Sequence, residues 1–258
     1  MPFIGFQLKK IFYISLCFLF VQNVASQNLF KRQSEAKQLI MLDLTYKLQF
    51  PGFDMIKRFG NNSALGGEIL FKNKKNFVFG VNGYFMWGKN VKETGILDSL
   101  KGSTGEIIDQ NGQFSVIGFE QRGMSTGLVM GKVFSFNKNK NSGIQINIGA
   151  GYLNHYIRIF APKTVPQLNN EMKKGYDRYT SGPYISQYIG YRFIDPIKRL
   201  NFSLGFEFIE GFTQSRRSFN YDTQTADNKN RLDLLSGLKL SLTIPLYLKK
   251  ASEEEFFE

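Results

Sequence analysis

The chain contains almost no cysteine, histidine or tryptophan. Of its 258 residues, one is Cys, one is His and one is Trp. Cys17 lies in an apolar run near the N-terminus, so the rest of the chain has no thiol for a disulfide or a thiolate metal site. With His155 as the only histidine, the ligand clusters typical of zinc sites are absent as well. We therefore expect neither a metal nor a cofactor.

Long apolar runs are also scarce. No segment after the N-terminus has 18 uninterrupted apolar residues, which excludes transmembrane helices there. At the N-terminus, two lysines precede an apolar run over 11–21, and small residues occupy 24–26. This order is typical of a cleaved secretory signal. It predicts a signal peptide over 1–26 and an exported chain that starts with a periplasmic segment over 27–36.

The sequence carries an excess of positive charge, with a formal net charge of +12. A basic chain first suggests nucleic acid or an anionic surface as its partner. An exported protein does not meet nucleic acid in the cell, so we expect no nucleic acid. Lipid headgroups are the anionic surface that such a chain meets instead.

A two-residue alternation is the dominant pattern in the rest of the chain. In SGLKLSLTIPLYL (236–248), leucine or isoleucine occupies every second position, and Lys239, Ser241 and Thr243 lie between them. This period predicts a strand with one apolar face. Seven further segments have strand patterns: 37–50, 65–72, 76–87, 126–136, 142–160, 183–193 and 200–212. The two faces of 126–136 cannot be assigned, because apolar residues occupy both.

The connections between these segments alternate in length. Those at 73–75, 137–141 and 194–199 are short, and those at 51–64, 88–125, 161–182 and 213–231 are long. This alternation is typical of outer-membrane barrels. It predicts an all-β fold, an eight-stranded antiparallel transmembrane β-barrel over 37–248 in the cell outer membrane. Four long outer loops, three short periplasmic turns, periplasmic N and C termini and an acidic tail over 249–258 complete the prediction.

One segment does not fit the even count. QFSVIGFEQ (113–121) has a strand-like pattern inside the second long connection. We interpret it as a hairpin arm that rises from the second outer loop. If it crosses the membrane instead, the barrel has ten strands.

Aromatic residues collect near both ends of the strands. Near the short turns lie Phe71, Phe77, Phe134, Phe136, Phe193, Phe202 and Tyr247, and toward the loops lie Phe50, Phe85, Trp87, Tyr152 and Tyr184. This distribution predicts two aromatic girdles at the membrane interfaces.

Charged residues fall on the inward face of the strands. An eight-stranded barrel is filled by its own side chains, and buried charges have to be paired. The alternation therefore predicts an interior polar network that includes Asp43, Lys47, Glu68, Glu207 and Lys239. A proton or ion path is the alternative for the same residues.

The third and fourth outer loops combine cations with aromatic residues. The candidate contact residues are Lys173, Tyr176, Arg178, Arg216, Arg217 and Tyr221. Arginine next to aromatic residues favours a protein contact, and arginine also suits the phosphates of lipid A. The expected partners are thus outer-membrane lipids, lipopolysaccharide and phospholipid, and a protein of an envelope complex.

Catalytic motifs are lacking. His155, in LNHYIR, is the only histidine that could act as a general base, and no motif places a serine or a carboxylate beside it. We therefore expect a protein that is not an enzyme. One alternative is a lipid A or phospholipid hydrolase, which requires a serine or carboxylate within about 3 Å of His155. Another is a small porin, which requires ten or more strands.

The sequence resembles the small outer-membrane β-barrel proteins of Bacteroidota. The resemblance covers most of the chain in architecture, and its more specific pieces are KKGYDRYTSG (173–182), NFSLGFEFIEGFT (201–213) and RLDLLSGLKLSLTIPLYLKK (231–250). It implies an accessory or structural subunit of an envelope complex, in secretion or in outer-membrane assembly. The resemblance assigns no functional residue, since fold does not fix function.

Overall fold

The computed structural model describes residues 34–136, 138–162, 164–195 and 200–248. The predicted signal peptide, most of the predicted N-terminal segment and the acidic tail lie outside the described residues. No helix in the described part of the chain is both long enough and apolar enough to cross a bilayer.

The described chain forms ten strands, of which eight belong to one antiparallel sheet. In chain order they are β1 (Leu39–Phe53), β2 (Asn62–Lys72), β3 (Phe77–Gly88), β4 (Ile107–Ile108), β5 (Phe114–Ser115), β6 (Gly118–Phe134), β7 (Gly143–Phe160), β8 (Thr180–Ile194), β9 (Asn201–Ser215) and β10 (Asn230–Tyr247). The sheet order is β1–β10–β9–β8–β7–β6–β3–β2, and β1 also pairs with β2. The sheet therefore closes into a barrel and leaves no unpaired edge.

The strand-like segment 113–121 does not cross the barrel as a strand of its own. Its first residues form β5, which pairs with β4 in a small hairpin, and its last residues begin β6. The barrel accordingly has eight strands. The small-porin alternative loses the ten strands that it required.

The connections at the two ends of the barrel differ in length. At one end are the turns 73–76, 135–142 and 195–200. At the other end are four longer connections, which we call loop 1 (54–61), loop 2 (89–117), loop 3 (161–179) and loop 4 (216–229). Loop 1 contains the helix α1 (Met55–Arg58), loop 2 contains a 3₁₀ segment (Gly95–Leu100) and the β4–β5 hairpin, and loop 3 contains the 3₁₀ segments Pro166–Leu168 and Met172–Gly175.

The two faces of the barrel wall have opposite character. In β10, Leu240, Leu242 and Ile244 are exposed on the outer surface, whereas Ser241 and Thr243 between them are buried. The other barrel strands repeat this pattern, so an apolar belt surrounds the barrel. In β6, which the sequence left unassigned, Leu128 and Met130 point outward and Val129 and Val133 point inward.

Two predicted girdle residues occupy other places. Tyr184 faces the interior and donates a hydrogen bond to Asn82 Oδ1 at 3.3 Å. Phe193 is buried and packs against Phe202 with a ring-centroid distance of 5.6 Å. The prediction of an exposed aromatic residue was therefore wrong at both positions. Tyr184 lies between the outward residues Pro183 and Ile185, so its side chain has to point inward. At Phe193, the neighbouring ring of Phe202 covers the side chain.

The chain before β1 crosses the short-turn end of the barrel. The backbone N–H of Lys37 donates to Asn141 Oδ1 at 2.8 Å, and Ser34 forms a bridge with Asn139. The turn 135–142 joins β6 and β7, and β7 lies opposite β1 in the ring of strands. The segment 34–38 therefore spans this end of the barrel.

Candidate functional site: the barrel interior and the loop cap

The interior of the barrel has three layers. Near the short turns lies a buried apolar cluster of Leu39, Met41, Leu70, Val78, Val129, Val133 and Ile194. A layer of charged and polar side chains follows. At the loop end a second apolar cluster fills the barrel mouth. Apolar side chains thus lie at both ends of the charged layer, beside buried polar residues such as Lys72 and Asn141 near the short turns and Gln49 and Gln121 toward the loops.

The charged layer contains all five residues predicted for the interior network, and four of them are paired with one another. Lys47 is paired with Glu207, and Lys239 Nζ contacts Glu68 Oε1 at 2.5 Å and Glu207 Oε1 at 3.2 Å. All four are buried. Lys47 Nζ also lies 3.3 Å from the centroid of the Tyr84 ring, a cation–π contact. Two cations and two anions thus neutralise one another in the interior of the barrel.

The fifth predicted residue, Asp43, is paired with an arginine that sequence reasoning missed. Arg192 Nη2 donates to Asp43 Oδ2 at 2.7 Å, and Nη1 donates to Oδ1 at 3.1 Å. Arg192 also donates to Gln145 and to Thr243 Oγ1. The sequence does contain a sign of this role: Arg192 alternates with the outward residues of β8, so its side chain has to face inward.

The loop-end cluster forms a cap over the barrel. Its apolar side chains come from the inward face of the strands and from the first three loops; they include Met55, Phe59, Ile96, Leu97, Leu153, Ile157, Val165, Leu168 and Tyr176. We call this cluster, with the loops that supply it, the loop cap. It resembles the core of a soluble domain more than a set of flexible loops, since buried apolar area stabilises each loop.

Ion pairs join the loops above this core. Arg178 of loop 3 donates to Glu93 Oε1 of loop 2 at 2.9 Å and, with two nitrogens, to both carboxylate oxygens of Asp222 of loop 4 at 2.8 and 2.5 Å. Burial opposes the charge of Arg178, but the hydrogen bonds to Asp222 and the charge of Glu93 outweigh it and raise the pKa of Arg178. This arginine therefore fixes three loops with one side chain.

A second arginine adds loop 1 to the same group. Arg58 donates to Thr180 Oγ1 at 2.9 Å and lies 3.5 Å from Glu93 and 3.8 Å from Asp227. Asp227 in turn is paired with Arg231. Burial opposes ionisation of Asp227, but the hydrogen bond from Arg231 prevails and lowers the pKa of Asp227. We call these six side chains the loop ion cluster: Arg58, Glu93, Arg178, Asp222, Asp227 and Arg231.

A cavity of about 580 Å³ adjoins the loop ion cluster. Its charged lining consists of the cluster members other than Asp222, together with Asp54, Lys57 and Lys229. The three arginines and three carboxylates of the cluster cancel, and Lys57 is paired with Asp54 at 2.8 Å. Within the described residues no three His, Cys, Asp or Glu side chains are grouped so as to hold a metal ion. Little uncompensated charge remains for a ligand here.

The candidate contact residues of loops 3 and 4 divide into two groups. Tyr176 and Arg178 are each only 6% exposed, so this part of the prediction has to be corrected: they hold the loops together and offer no surface to a partner. The rings of Tyr176 and Tyr221 meet edge to face at 5.4 Å. Of the residues that keep exposed surface, Arg217 is paired with Asp177 at 2.5 Å, and Arg216 and Lys173 have no carboxylate partner in the described residues.

Gly175 explains how loops 3 and 4 approach so closely. The backbone N–H of Tyr221 donates to the Gly175 carbonyl at 3.0 Å. A Cβ at position 175 would lie 2.2 Å from the Tyr221 ring. Only glycine leaves room for this contact.

His155 lies inside the loop cap rather than at an exposed rim. Its Nε2 is 2.8 Å from Asp233 Oδ2, and Thr213 donates to the same oxygen at 2.5 Å. The side chains of His155 and Asp233 are 0% and 1% exposed, and Phe59 packs against the imidazole edge to face. His155 Nδ1 has no hydrogen-bond partner among the described residues. The carboxylate required by the hydrolase alternative is therefore present, but no hydroxyl contacts the other ring nitrogen.

The β4–β5 hairpin presents an apolar face that sequence reasoning did not identify. Ile108 and Phe114 are directly opposed in the hairpin and are 44% and 65% exposed, and Val116 is 89% exposed. Ile107 points to the other side and is buried in the loop cap. The backbone N–H of Gln110 donates to the Thr164 carbonyl at 2.9 Å, which ties the hairpin to loop 3.

Comparison with known proteins gives distant structural likenesses only. No protein-family model matches the chain, and no curated protein matches it. Among solved structures, Ail, the attachment invasion locus protein of Yersinia pestis, is 12% identical with a TM-score of 0.38 over 82% of this chain and 100% of its own. The outer membrane protein OprG from Pseudomonas aeruginosa is 11% identical with a TM-score of 0.38 over 83% and 99%. Neisserial surface protein A is 9% identical with a TM-score of 0.34 over 78% and 95%.

Proposed function

We propose that the chain is an integral outer-membrane β-barrel protein that is not an enzyme and acts through protein contacts, as an accessory or structural subunit of an envelope complex. In this arrangement the four loops lie outside the cell, and the short turns and both termini lie in the periplasm. The resemblance to small barrels of Bacteroidota favours a complex for secretion or outer-membrane assembly.

The apolar belt supports the membrane location. Side chains such as Leu242, Ile244 and Phe206 are more than half exposed on the outside of the wall. The charged residues of the barrel centre face inward instead: Asp43, Lys47, Glu68, Arg192, Glu207 and Lys239. Exposure of so many apolar side chains is unfavourable in water and favourable in the hydrocarbon core of a bilayer. A membrane strand needs about 9–11 residues, and six of the eight barrel strands have 15 to 18. The loop-end parts of these strands thus extend beyond the bilayer.

The exposed face of the β4–β5 hairpin is the observation that carries the binding role. Ile108, Phe114 and Val116 form a contiguous apolar surface on a rigid support, because the loop cap and the Gln110–Thr164 hydrogen bond hold the hairpin. Exposed apolar patches on an ordered scaffold are typical of protein interaction sites. We therefore place the partner on the hairpin.

Affinity purification from outer membranes in mild detergent tests this function. We expect the protein to fractionate with the outer membrane and to recover partner proteins. The double variant Ile108→Ser and Phe114→Ser should lose the partners at an unchanged barrel level. Ile56→Ser, which changes an exposed residue of loop 1, serves as the control. Recovery as a lone monomer in several detergents would contradict the subunit role, and an unchanged set of partners in the double variant would contradict the hairpin surface.

The hydrolase alternative has one supporting observation, the 2.8 Å contact between His155 and Asp233. A general base also needs a nucleophile or water within reach and access for substrate. Both side chains are buried beneath Phe59, and Thr213 contacts the carboxylate rather than the imidazole. We therefore propose a structural role for this pair.

A further inference from the structure

A groove crosses the outer surface of the barrel at Gly83. Gly83 is directly opposed to Gly67 on β2, and nothing lies within 4 Å of the position that its Cβ would occupy. The groove has a volume of about 470 Å³, and the outward side chains that line it are Leu65, Phe85, Met124, Thr126, Tyr152 and Asn154. Most of this lining is apolar and belongs to the lipid-facing belt. Such a groove fits a hydrocarbon chain.

A second depression lies nearer to the loops on the same side. It has a volume of about 300 Å³ between β7 and loop 3, and its charged lining consists of three cations, Arg158, Lys173 and Lys174, and the carboxylate Asp177. Asp177 is paired with Arg217. Lys174 is paired with Glu171 at 2.8 Å. Arg158 and Lys173 form no ion pair with a carboxylate of the described residues. Glu120 lies opposite Arg158 in the β6–β7 register but is paired with Arg122. Two cations without an ion-pair partner therefore face this recess, which fits an anionic group.

The groove and the recess lie on one line along β7. Tyr152 and Asn154 border the groove, Tyr156 and Arg158 border the recess, and all four are alternate residues on the outward face of the strand. At about 3.3 Å per residue, Tyr152 and Arg158 are about 20 Å apart. The apolar part is toward the barrel centre and the cationic part toward the loops. One amphiphilic molecule can occupy both.

A third cation without an ion-pair partner, Arg216, contacts Tyr152 at the edge of the groove. Arg216 donates from Nη2 to the Tyr152 hydroxyl at 3.3 Å and from Nε to Ser181 Oγ at 3.0 Å, and it has no carboxylate partner in the described part of the chain. Arg122 also approaches the groove, 5.6 Å from the Phe85 ring, but Glu120 neutralises it. Arg216 contacts Ser181 of β8, and loop 3 pairs with β7 through the bond from Ile157 N–H to the Asp177 carbonyl, so both cationic positions lie on the β8 side of β7.

We propose that this surface is a binding site for a phosphorylated acyl lipid of the outer leaflet, of the lipid A type. One acyl chain lies in the groove at Gly83, one phosphate contacts Arg158 and Lys173, and a second contacts Arg216. A lipid with two phosphates matches the two separated cationic positions better than a phospholipid with one. The site rests on the proposed outer-membrane location of the loops.

Lipid binding by the purified full-length protein in mild detergent, followed by native mass spectrometry, tests the site. The probes are bisphosphorylated lipid A, its dephosphorylated form and phosphatidylglycerol. We expect lipid A to bind at least about tenfold more tightly than either of the other two, since these lack one or both of the charge-assisted phosphate contacts. Equal binding of the dephosphorylated form would overturn the phosphate contacts, and equal binding of phosphatidylglycerol would overturn the assignment to lipid A.

Two sets of variants separate the headgroup from the acyl chain. Arg158→Gln with Arg216→Gln should remove the preference for phosphate, whereas Lys229→Gln on the far cavity should not. Gly83→Leu fills open space and should weaken all three lipids, whereas Leu204→Phe on the outward face of β9 should not. Wild-type affinity in the arginine variant or in Gly83→Leu would overturn the proposal. The assay uses detergent solution and no partner protein, so its failure is distinguishable from failure of the proposed function.

Discussion

Arg192 and Asp43 form a two-point ion pair in the middle of the barrel, with N–O distances of 2.7 and 3.1 Å. Neither side chain has access to solvent, with 1% and 0% exposure. The pair joins β8 to β1 across the interior, because these strands are not neighbours in the sheet. Inside a low-dielectric interior, each charge depends on the other for compensation.

Removal of one partner of this pair should cost much more stability than removal of both. Arg192→Met leaves the Asp43 carboxylate buried without a cation, and we expect a loss of about 3–5 kcal/mol in the free energy of unfolding. The double variant Arg192→Met with Asp43→Leu should recover most of that loss. Urea unfolding in micelles, followed by the shift in gel mobility of the folded barrel, measures both. A double variant as unstable as the single one would contradict the compensation.

The loop ion cluster should control the order of the loops without affecting the barrel. Arg178→Gln removes the contacts that join loops 2, 3 and 4, so these loops should exchange amide hydrogens faster and become sensitive to protease. The eight barrel strands should keep their protection, since the apolar belt and ladder hydrogen bonds are unchanged. Lys173→Gln on the same loop, which has no ion pair in the described residues, is the matched control. Equal loop protection in wild type and Arg178→Gln would refute this role.

Acid should loosen loop 4 through Asp227. The pKa of this carboxyl is lower in the folded protein than its ordinary value of 3.8. Its ionised form therefore stabilises the fold above that value, and the contribution is lost as the pH falls through the folded pKa. We expect hydrogen exchange in loop 4, corrected for intrinsic rates, to increase below about pH 4. The difference between neutral and acidic pH should be smaller in Asp227→Asn; an identical pH response in that variant would exclude Asp227 as its source.

The faces of the strands could be predicted from the sequence because the two-residue period is a local property. Lys239 and Ser241 follow directly from the leucines around them. The apolar outward and polar inward pattern changes where the strands meet the loop cap. In β7, the inward residues Leu153 and Ile157 are apolar where the loop cap covers them, and the outward residues Asn154 and Arg158 are polar. At the loop end, apolar residues thus face inward and polar residues face outward. Because the prediction relied on the opposite pattern, it started β6 and β10 later in the chain than the structure does.

The loop ion cluster could not be predicted, because its members are far apart in the sequence. Glu93, Arg178 and Asp222 come from three loops, and no spacing or motif connects them. From the sequence, Arg178 was a candidate contact for a partner because arginine is common in interfaces. Its contacts with Glu93 and Asp222 show that it joins the loops instead. The same applies to Asp233, which reads as one more polar residue of β10 until the barrel closes and brings it to His155.

The pair of His155 and Asp233 should contribute to stability and not to catalysis. Asp233 accepts hydrogen bonds from the Thr213 hydroxyl and from the imidazole. Asp233→Asn replaces an acceptor by a donor within this buried group and should cost about 1–3 kcal/mol of unfolding free energy. His155→Gln should destabilise the loop cap as well, since the Phe59 contact is lost with the ring. Unfolding in urea and release of fatty acid from lipid A or phospholipid are measured on the same preparations. We expect no release by wild type or by either variant; lipid hydrolysis by the wild type that both variants abolish, at preserved folding, would establish the pair as catalytic.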